Sequence, residues 1–494
     1  MRLNILFGGE AGQGPNILTH VLAESLVEQG YYVFYSRDYQ SLIRGGHNFN
    51  VLTVSDKPVN SNDSKIDILV ALDENTQKIH KPNLNKDGII IDGKHPNMYY
   101  AGRLFKVLGM DFKLLEDQFK KLEKRFEENM KEAKIGYNEA KANIKLPKSP
   151  KIKADFKIGN QGIALGAIKS GLDIYYAYPM TPATPVIGEL AKSQIENNHL
   201  VIELENEISV INAAIGSAIT GAKSMLGTSG GGFDLMTEAL SMTGIAEIPL
   251  VLYLAQRPGP ASGVATYNAQ GDLNMARHSG HGEFSRILLA PGDPVEAAEL
   301  VNQAFYFSQK FKTPAIVIGD KHLAESAYTL TSQSKIVKVP KSMALKRINS
   351  YEADSIGCST EDASVIKKNV ENRLKKIPAI ETEAKKFAQY KTFGKKNSKN
   401  VIVFWGSTKG AILDAIEGLD VKAIQILYLD PFPKQIAKEL KDKNIILIEN
   451  NSTGQLGGVI AENTGIFIKN KILRYDGRPF LCDELNVEIK KRLK

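Results

Sequence analysis

Hydroxyls, carboxylates and one arginine stand at successive strand ends in the middle of this chain of 494 residues. Asp173–Pro185 reads DIYYAYPMTPATP, an apolar run leading into a proline-rich turn. Pro179, Pro182 and Pro185 fix φ and keep the residues before them out of the helical region. Thr181 and Thr184 are therefore expected on a stiff loop at a strand's carboxyl end, where open α/β sheets place their ligands. Hydroxyls held this way suit an anionic group, although an ordinary proline-rich strand exit has the same composition. Residues 201–222, VIELENEISVINAAIGSAITGA, predict a short strand followed by a helix of small residues, with Glu203, Glu205 and Glu207 at the junction. Acids are favoured in first helical turns by the helix dipole, which accounts for any one of them without chemistry. SMLGTSGGGFDLM, residues 224–236, predicts a strand entering a turn that exposes backbone N–H groups around Ser229 and Gly230. PLVLYLAQRPGPA, residues 249–261, ends a further strand on Arg257, in a loop held by Pro258 and Pro260. In a parallel sheet these strand ends share one edge.

The elements around them alternate strand and helix throughout, which predicts a multidomain α/β protein. Leu3–Phe7 reads as a strand, Gly8–Gly14 (GGEAGQG) as a loop, and Pro15–Gln29 as a helix with proline in its opening turn. Such a loop can bring N–H groups to a phosphate, but it does not match the G-x-G-x-x-G dinucleotide pattern. Further strands are expected at Tyr31–Ser36, Phe49–Ser55, Ile66–Leu72 and Gly88–Asp92. Residues 112–143 form a charged helical stretch with Phe112, Leu115, Phe119, Leu122 and Phe126 at helical spacing. The expected division is a first domain at 1–145, a linker at 146–155 carrying LPKSPKIK, and a second domain at 156–335. A Lys-rich helical connector follows at 336–399, with helices near 360–376 and 380–390, and a third α/β domain at 400–494. The third domain opens with strand Asn400–Trp405 and continues with strands at Gln425–Asp430 and Asn444–Asn450. Its GSTKG turn lacks the full phosphate-loop pattern, so an ATPase is excluded.

Composition narrows the class. The chain carries +8 net charge with 43% apolar residues. The excess of lysine lies in linkers and tails, and no nucleic-acid motif accompanies it. No apolar run approaches the roughly 20 residues of a membrane helix. The only cysteines, Cys358 and Cys482, are far apart, which fits a reducing cytoplasm. Two thiolates fall short of the about four that a four-iron cluster needs. His278 and His281 are three apart without an evident third ligand, so no metal site is expected on this chain. Trp405, the single tryptophan, is expected in the core.

YPMTPATP, then ENE before a small-residue helix, then TSGGGFDLMTE, QRPGPASG and TYNAQGDL follow one another in an order that resembles the 2-oxoacid:ferredoxin oxidoreductases. The likeness is to the alpha subunit in which a gamma-type domain is fused ahead of the pyrimidine-binding domain. It runs from residue 156 to about 330, and Met180 and Ala183 depart from the family's YPITPSTP. GGEAGQG and the later RGG resemble the gamma domain, and residues 400–494 resemble the family's transketolase C-terminal-like domain. The resemblance implies thiamine diphosphate, with its pyrimidine half held here. Glu207 matches the family's cofactor glutamate, Glu205 being the alternative, and Tyr178, Pro179, Ser229 and Gly230 lie beside it. A carboxyl bonded to the pyrimidine ring nitrogen favours the imino tautomer the chemistry requires. Thr181 and Arg257 match the residues that grip the substrate carboxylate, for which a guanidinium has paired donors. Gly12, Gln13, Gly14 and Arg44 are expected near coenzyme A.

A Gly-Asp-Gly magnesium motif is missing, since Gly271-Asp272 continues with Leu and Gly319-Asp320 with Lys. Mg2+, the diphosphate site and the [4Fe-4S] cluster are therefore expected on a beta partner, in an αβ or (αβ)2 assembly. The implied reaction is oxidative decarboxylation of 2-oxoglutarate or pyruvate to acyl-CoA and CO2, with electrons passing to ferredoxin. The alternatives are an indolepyruvate or branched-chain 2-oxoacid oxidoreductase subunit, and a non-catalytic scaffold of the same fold.

Overall fold

The computed structural model of the chain describes residues 1–42, 45–122, 125–342 and 348–493, and among them three sheets form. The strands are β1 (Arg2–Ala11), β2 (Tyr32–Asp38), β3 (Gly45–Ser55), β4 (Ile66–Ala71), β5 (Leu84–Ile91), β6 (Asp155–Ile158), β7 (Ile174–Ala177), β8 (Leu200–Glu203), β9 (Ser224–Thr228) and β10 (Leu250–Gln256). They continue with β11 (Ile287–Leu289), β12 (Pro314–Asp320), β13 (Ala327–Leu330), β14 (Tyr390–Gly394), β15 (Asn400–Trp405), β16 (Lys422–Ile426), β17 (Tyr428–Asp430), β18 (Asn444–Glu449) and β19 (Asn470–Leu473).

The first sheet runs β5-β4-β1-β3-β2-β13-β6. Strand β13 pairs antiparallel with both β2 and β6. Strand β6, which begins at the last residue of the 146–155 segment, and β13 beyond it therefore complete the amino-terminal sheet. The second sheet, β17-β11-β12-β10-β9-β7-β8, is parallel except at β17. Every residue of β10 and β12 is buried, as a parallel sheet covered by helices on both faces requires. Alternation along β10 separates two cores. Leu250, Leu252 and Leu254 pack with Val210, Ile211 and Phe233 of the Glu207–Ile219 and Gly230–Ile245 helices. Val251, Tyr253 and Ala255 pack with Ile163 and Val301 of the Gly159–Lys169 and Pro294–Phe311 helices.

The third sheet is β14-β16-β15-β18-β19, and Val403, Trp405 and Ile426 enter the same core as Leu252. A buried ion cluster also joins the two units: Lys409 Nζ donates to Glu296 Oε1 at 2.6 Å, and Lys391 Nζ donates to the same oxygen at 2.9 Å.

Two expected elements are divided. The 112–143 stretch forms separate helices at Phe112–Lys121 and Phe126–Glu139, the second preceded by Arg125 at φ 51°. Phe112 and Tyr137 meet edge to face at 5.2 Å, so the helices double back on each other. The Gln425–Asp430 run splits between sheets, because β16 ends at Ile426 and β17 pairs with β11 instead.

Candidate functional site

Four neighbouring parallel strands, in the order β10, β9, β7, β8, end at one edge. Leu254 lies opposite Thr228, Gly227 opposite Ala177, and Ala177 opposite Glu203. Arg257, Ser229, Thr181 and Glu207 follow these level positions, which brings the expected residues to a single rim of the sheet.

Glu207 opens its helix behind the N-cap Asn206, whose side chain accepts from Ser209 N at 2.9 Å. It is 5% exposed, an unusual degree of burial for a carboxyl. Glu205 is exposed and accepts a hydrogen bond from the Ser209 hydroxyl. Of the two acids, only Glu207 is turned into the protein. Its carboxyl lies against Gly232: a methyl there would come 2.8 Å from both Cγ and Oε1 of Glu207, and 2.2 Å from Thr228 Oγ1. Glycine at 232 is what leaves room for the acid.

Ser229 precedes the Gly230–Ile245 helix and is 0% exposed, yet its hydroxyl makes no capping bond. Its Oγ has no hydrogen-bond partner among the described residues. Arg257 leaves β10 and donates from Nη1 to the carbonyl of Thr181 at 2.9 Å, tying the arginine loop to the proline turn across β9. Partial burial lowers the Arg257 pKa, and Asp272 opposes that shift. The Thr181 turn is fixed from beneath, where Asn160 Nδ2 donates to Pro182 O at 2.9 Å and Tyr253 donates to Asn160 Oδ1 at 3.1 Å. Tyr178 and Pro179 are exposed on the same turn.

Asp272 is absent from the expected set. The sequence reading takes Gly271-Asp272 only as an incomplete metal motif, whereas the fold folds it back on the Ser229 turn. A methyl at Gly230 would lie 2.7 Å from Asp272 Oδ2. Burial and the neighbouring Asp234 raise Asp272 to about 6, against the pull of Arg257. Glu207 thus lies against Gly232 and Asp272 against Gly230, two glycines of one helical turn.

Gly12, Gln13 and Gly14 lie apart, at the end of β1 before the Pro15–Glu28 helix. Gly12 and Gly14 adopt φ 97° and 81°, and Gln13 closes the loop by accepting from Glu10 N at 2.8 Å. No hydrogen bond among the described residues links them to Glu207 or Arg257. Arg44 lies outside the described residues. His281 is exposed, its backbone N–H held by Ser241 Oγ at 2.9 Å.

Residues 165–396 match the family described as pyruvate flavodoxin/ferredoxin oxidoreductase, thiamine diphosphate-binding, and residues 4–96 match pyruvate ferredoxin/flavodoxin oxidoreductase. A 2-oxoacid:ferredoxin oxidoreductase alpha subunit from a Sulfolobus species is 29% identical over 100% of this chain and 97% of its own length. The chain belongs to the 2-oxoacid:ferredoxin oxidoreductase alpha-subunit family. A 2-oxoglutarate synthase subunit from Methanocaldococcus jannaschii is 29% identical over 61% of this chain and 89% of its own. The fold is shared along the whole chain with a 2-oxoglutarate:ferredoxin oxidoreductase from Magnetococcus marinus, at TM-score 0.88 and 22% identity, covering 100% of both chains. The multidomain α/β architecture expected from the sequence is present, and with it the family's thiamine diphosphate-binding domain.

The residues at the rim fit that cofactor. A buried carboxyl, a buried hydroxyl without a hydrogen-bond partner among the described residues, and two glycines bounded by acids supply the polar groups that a pyrimidine edge requires. Among the described residues no helix is long and apolar enough to cross a membrane.

Proposed function

We propose that this chain is the alpha subunit of an enzyme that oxidatively decarboxylates a 2-oxoacid, 2-oxoglutarate or pyruvate, to acyl-CoA and CO2. Electrons pass through a beta partner to ferredoxin. The observation that carries the reading is a buried acid, Glu207, on the same sheet edge as an arginine tethered by one nitrogen. Glu207 would hold the pyrimidine edge of the cofactor, and its carboxyl oxygen would be the atom that holds or releases a proton there. Thiamine diphosphate, when bound, supplies the nucleophilic carbon and the electron sink for decarboxylation. Arg257 offers five N–H donors. One is engaged with Thr181 O, so the others remain to receive the 2-oxoacid carboxylate, and the Thr181 hydroxyl adds a donor. Ser229, Gly230, Tyr178 and Pro179 border the cofactor. The exposed Gly12–Gly14 loop and Arg44 receive the coenzyme A phosphates.

The partner holds the diphosphate, Mg2+ and the [4Fe-4S] cluster, since two cysteines cannot supply about four thiolates. The test is to purify the chain with its partner and follow viologen reduction with a panel of 2-oxoacids. Glu207→Gln is expected to lower turnover by at least roughly a hundredfold with little change in KM, Glu205→Gln to leave both near wild type, and Arg257→Ala mainly to raise KM. Full turnover in Glu207→Gln would sink the assignment.

A further inference from the structure

The strand that leads to Arg257 grips the Thr181 turn twice. From just past its end, Arg257 Nη1 donates to Thr181 O at 2.9 Å. From its interior, Tyr253 donates to Asn160 Oδ1 at 3.1 Å, and Asn160 Nδ2 donates to Pro182 O at 2.9 Å. The carbonyls of two consecutive turn residues are thus each held by a side chain from another element. Chemistry fixes the direction of this chain of bonds. Pro182 O can only accept, so the Asn160 amide turns its nitrogen to the turn and its oxygen to Tyr253, whose hydroxyl must then donate.

Asn160 and Tyr253 are both 0% exposed, and Tyr253 packs in a core with Ile163, Val251 and Ala255. A buried amide and a buried phenol are unfavourable there unless bonded, and the needs of the helix do not account for them. The start of the Gly159–Lys169 helix is served by Gln161, whose Oε1 accepts from Ile158 N at 3.0 Å. That helix is also seated closely on its neighbour. A methyl at Gly162 would lie 2.3 Å from Pro294 O, and one at Gly166 2.6 Å from Ala298 O. Asn160 is therefore a rigid post between β10 and the turn, which is the support a binding group needs to keep its aim.

We propose that Asn160 and Tyr253 are positioning residues that set where Thr181 and Arg257 stand relative to each other, and so how tightly the rim holds the carboxylate of a 2-oxoacid. This rests on the reading of Thr181 and Arg257 as the substrate-carboxylate ligands. Releasing Pro182 O lets the turn move. The Thr181 hydroxyl moves with it, and so does the Thr181 carbonyl that orients the guanidinium. Glu207 lies against Gly232 on a different helix, outside this chain of bonds. The hold on the carboxylate is lost while the acid at the cofactor stays in place.

The experiment uses the chain assembled with its partner, viologen reduction with pyruvate and 2-oxoglutarate, and inhibition by oxamate, an unreactive carboxylate shaped like pyruvate. Tyr253→Phe and Asn160→Ser are each expected to raise KM, and Ki for oxamate, by roughly tenfold, the scale of one buried hydrogen bond, with kcat within about threefold. A double-mutant cycle separates positioning from support of the fold. In an Arg257→Ala background the same substitutions should change KM by no more than about threefold, because the group they aim is gone. An unchanged KM in the single variants, or an equal rise in both backgrounds, overturns the proposal. Should one variant fail to assemble, the other completes the cycle. If Arg257→Ala weakens substrate and oxamate while the Tyr253 and Asn160 variants do not, only the positioning role falls. If Arg257→Ala itself leaves KM and Ki unchanged, the reading of the substrate site is at fault.

Discussion

Gly232→Ala separates the stability of the fold from the placement of Glu207. The backbone at 232 is helical, so alanine should gain about 1 kcal/mol of helix propensity over glycine. The added methyl, however, meets Thr228 Oγ1 at 2.2 Å and Glu207 Cγ and Oε1 at 2.8 Å. Ordinary carbon contacts lie near 3.5–4.0 Å, so one of these side chains must retreat by roughly 1 Å. The 2.2 Å contact has to be relieved at Thr228 or by the Gly230–Ile245 helix, and the 2.8 Å contacts by Glu207, so the acid is displaced together with its neighbours. Overpacking of this kind costs about 1–3 kcal/mol, of which the propensity gain offsets about 1 kcal/mol, so the melting temperature should fall by no more than a few degrees. A displacement of about 1 Å at a catalytic group can cost about a hundredfold in rate. Gly188→Ala is the control: it is also helical, and a methyl there meets nothing within 4 Å. The control should stabilise by up to about 1 kcal/mol with unchanged activity. The assay is viologen reduction by the assembled enzyme, together with thermal melting. A Gly232→Ala enzyme with wild-type turnover and an intact fold would refute the placement of Glu207 at the reacting centre.

Two further outcomes concern buried carboxyls, Glu296 where the second and third units meet and Glu449 within the third. Lys409→Met leaves Glu296, which is 1% exposed, with Lys391 as its remaining cation, and should destabilise by about 3 kcal/mol in thermal melting at pH 7. Burial alone would raise Glu296, but Lys409 and Lys391 outweigh it and hold the carboxyl at about 2. The stabilisation is thus complete above the unfolded value of about 4.3 and disappears as pH falls toward 2. The gap between wild type and variant should close over that window, and a gap independent of pH would refute the ionic account. Glu449 has the opposite sign. Burial raises it to about 7, although Leu456 N, Trp405 Nε1 and Asn451 Nδ2 donate to it. Its contribution is present below about 4.3 and is lost as pH rises through 7. Glu449→Gln, which keeps an acceptor for Trp405, should melt higher than wild type at pH 8 and no higher at pH 4.5.

The strand ends were legible because their signals are local. Proline before Thr181 and after Arg257, glycine after Ser229, and an acid at the head of a small-residue helix each constrain the backbone within a few residues. That these strands run parallel follows from the alternation of strand and helix, whereas their order β10, β9, β7, β8 is a property of the fold. Glu207 and Glu205 could not be separated by such signals, because both fall at a strand–helix junction and a shift of register exchanges their faces. What separates them is Gly232 on a different helix, a partner remote in sequence.

The same limit explains the rest. Strands β6 and β13 join the first sheet by pairings that no periodicity encodes. The run at 425–430 is continuously apolar between Gln425 and Asp430, which suits one strand as well as two, and its division is decided by the edge of β11. Asp272 is the instructive case. Read along the chain it is one acid in an ordinary loop. It reaches the rim only because Gln256, Asn450, Asn451 and Gln455 fasten that loop at both ends. Residues that act through distant hydrogen bonds are invisible to motif spacing, whereas residues that end a strand are not. The carboxyl-terminal unit is therefore part of the site's construction. Loosening it through Gln270 or Gln455 should displace Asp272 before it disturbs Glu207, which lies against Gly232 in the Gly230–Ile245 helix.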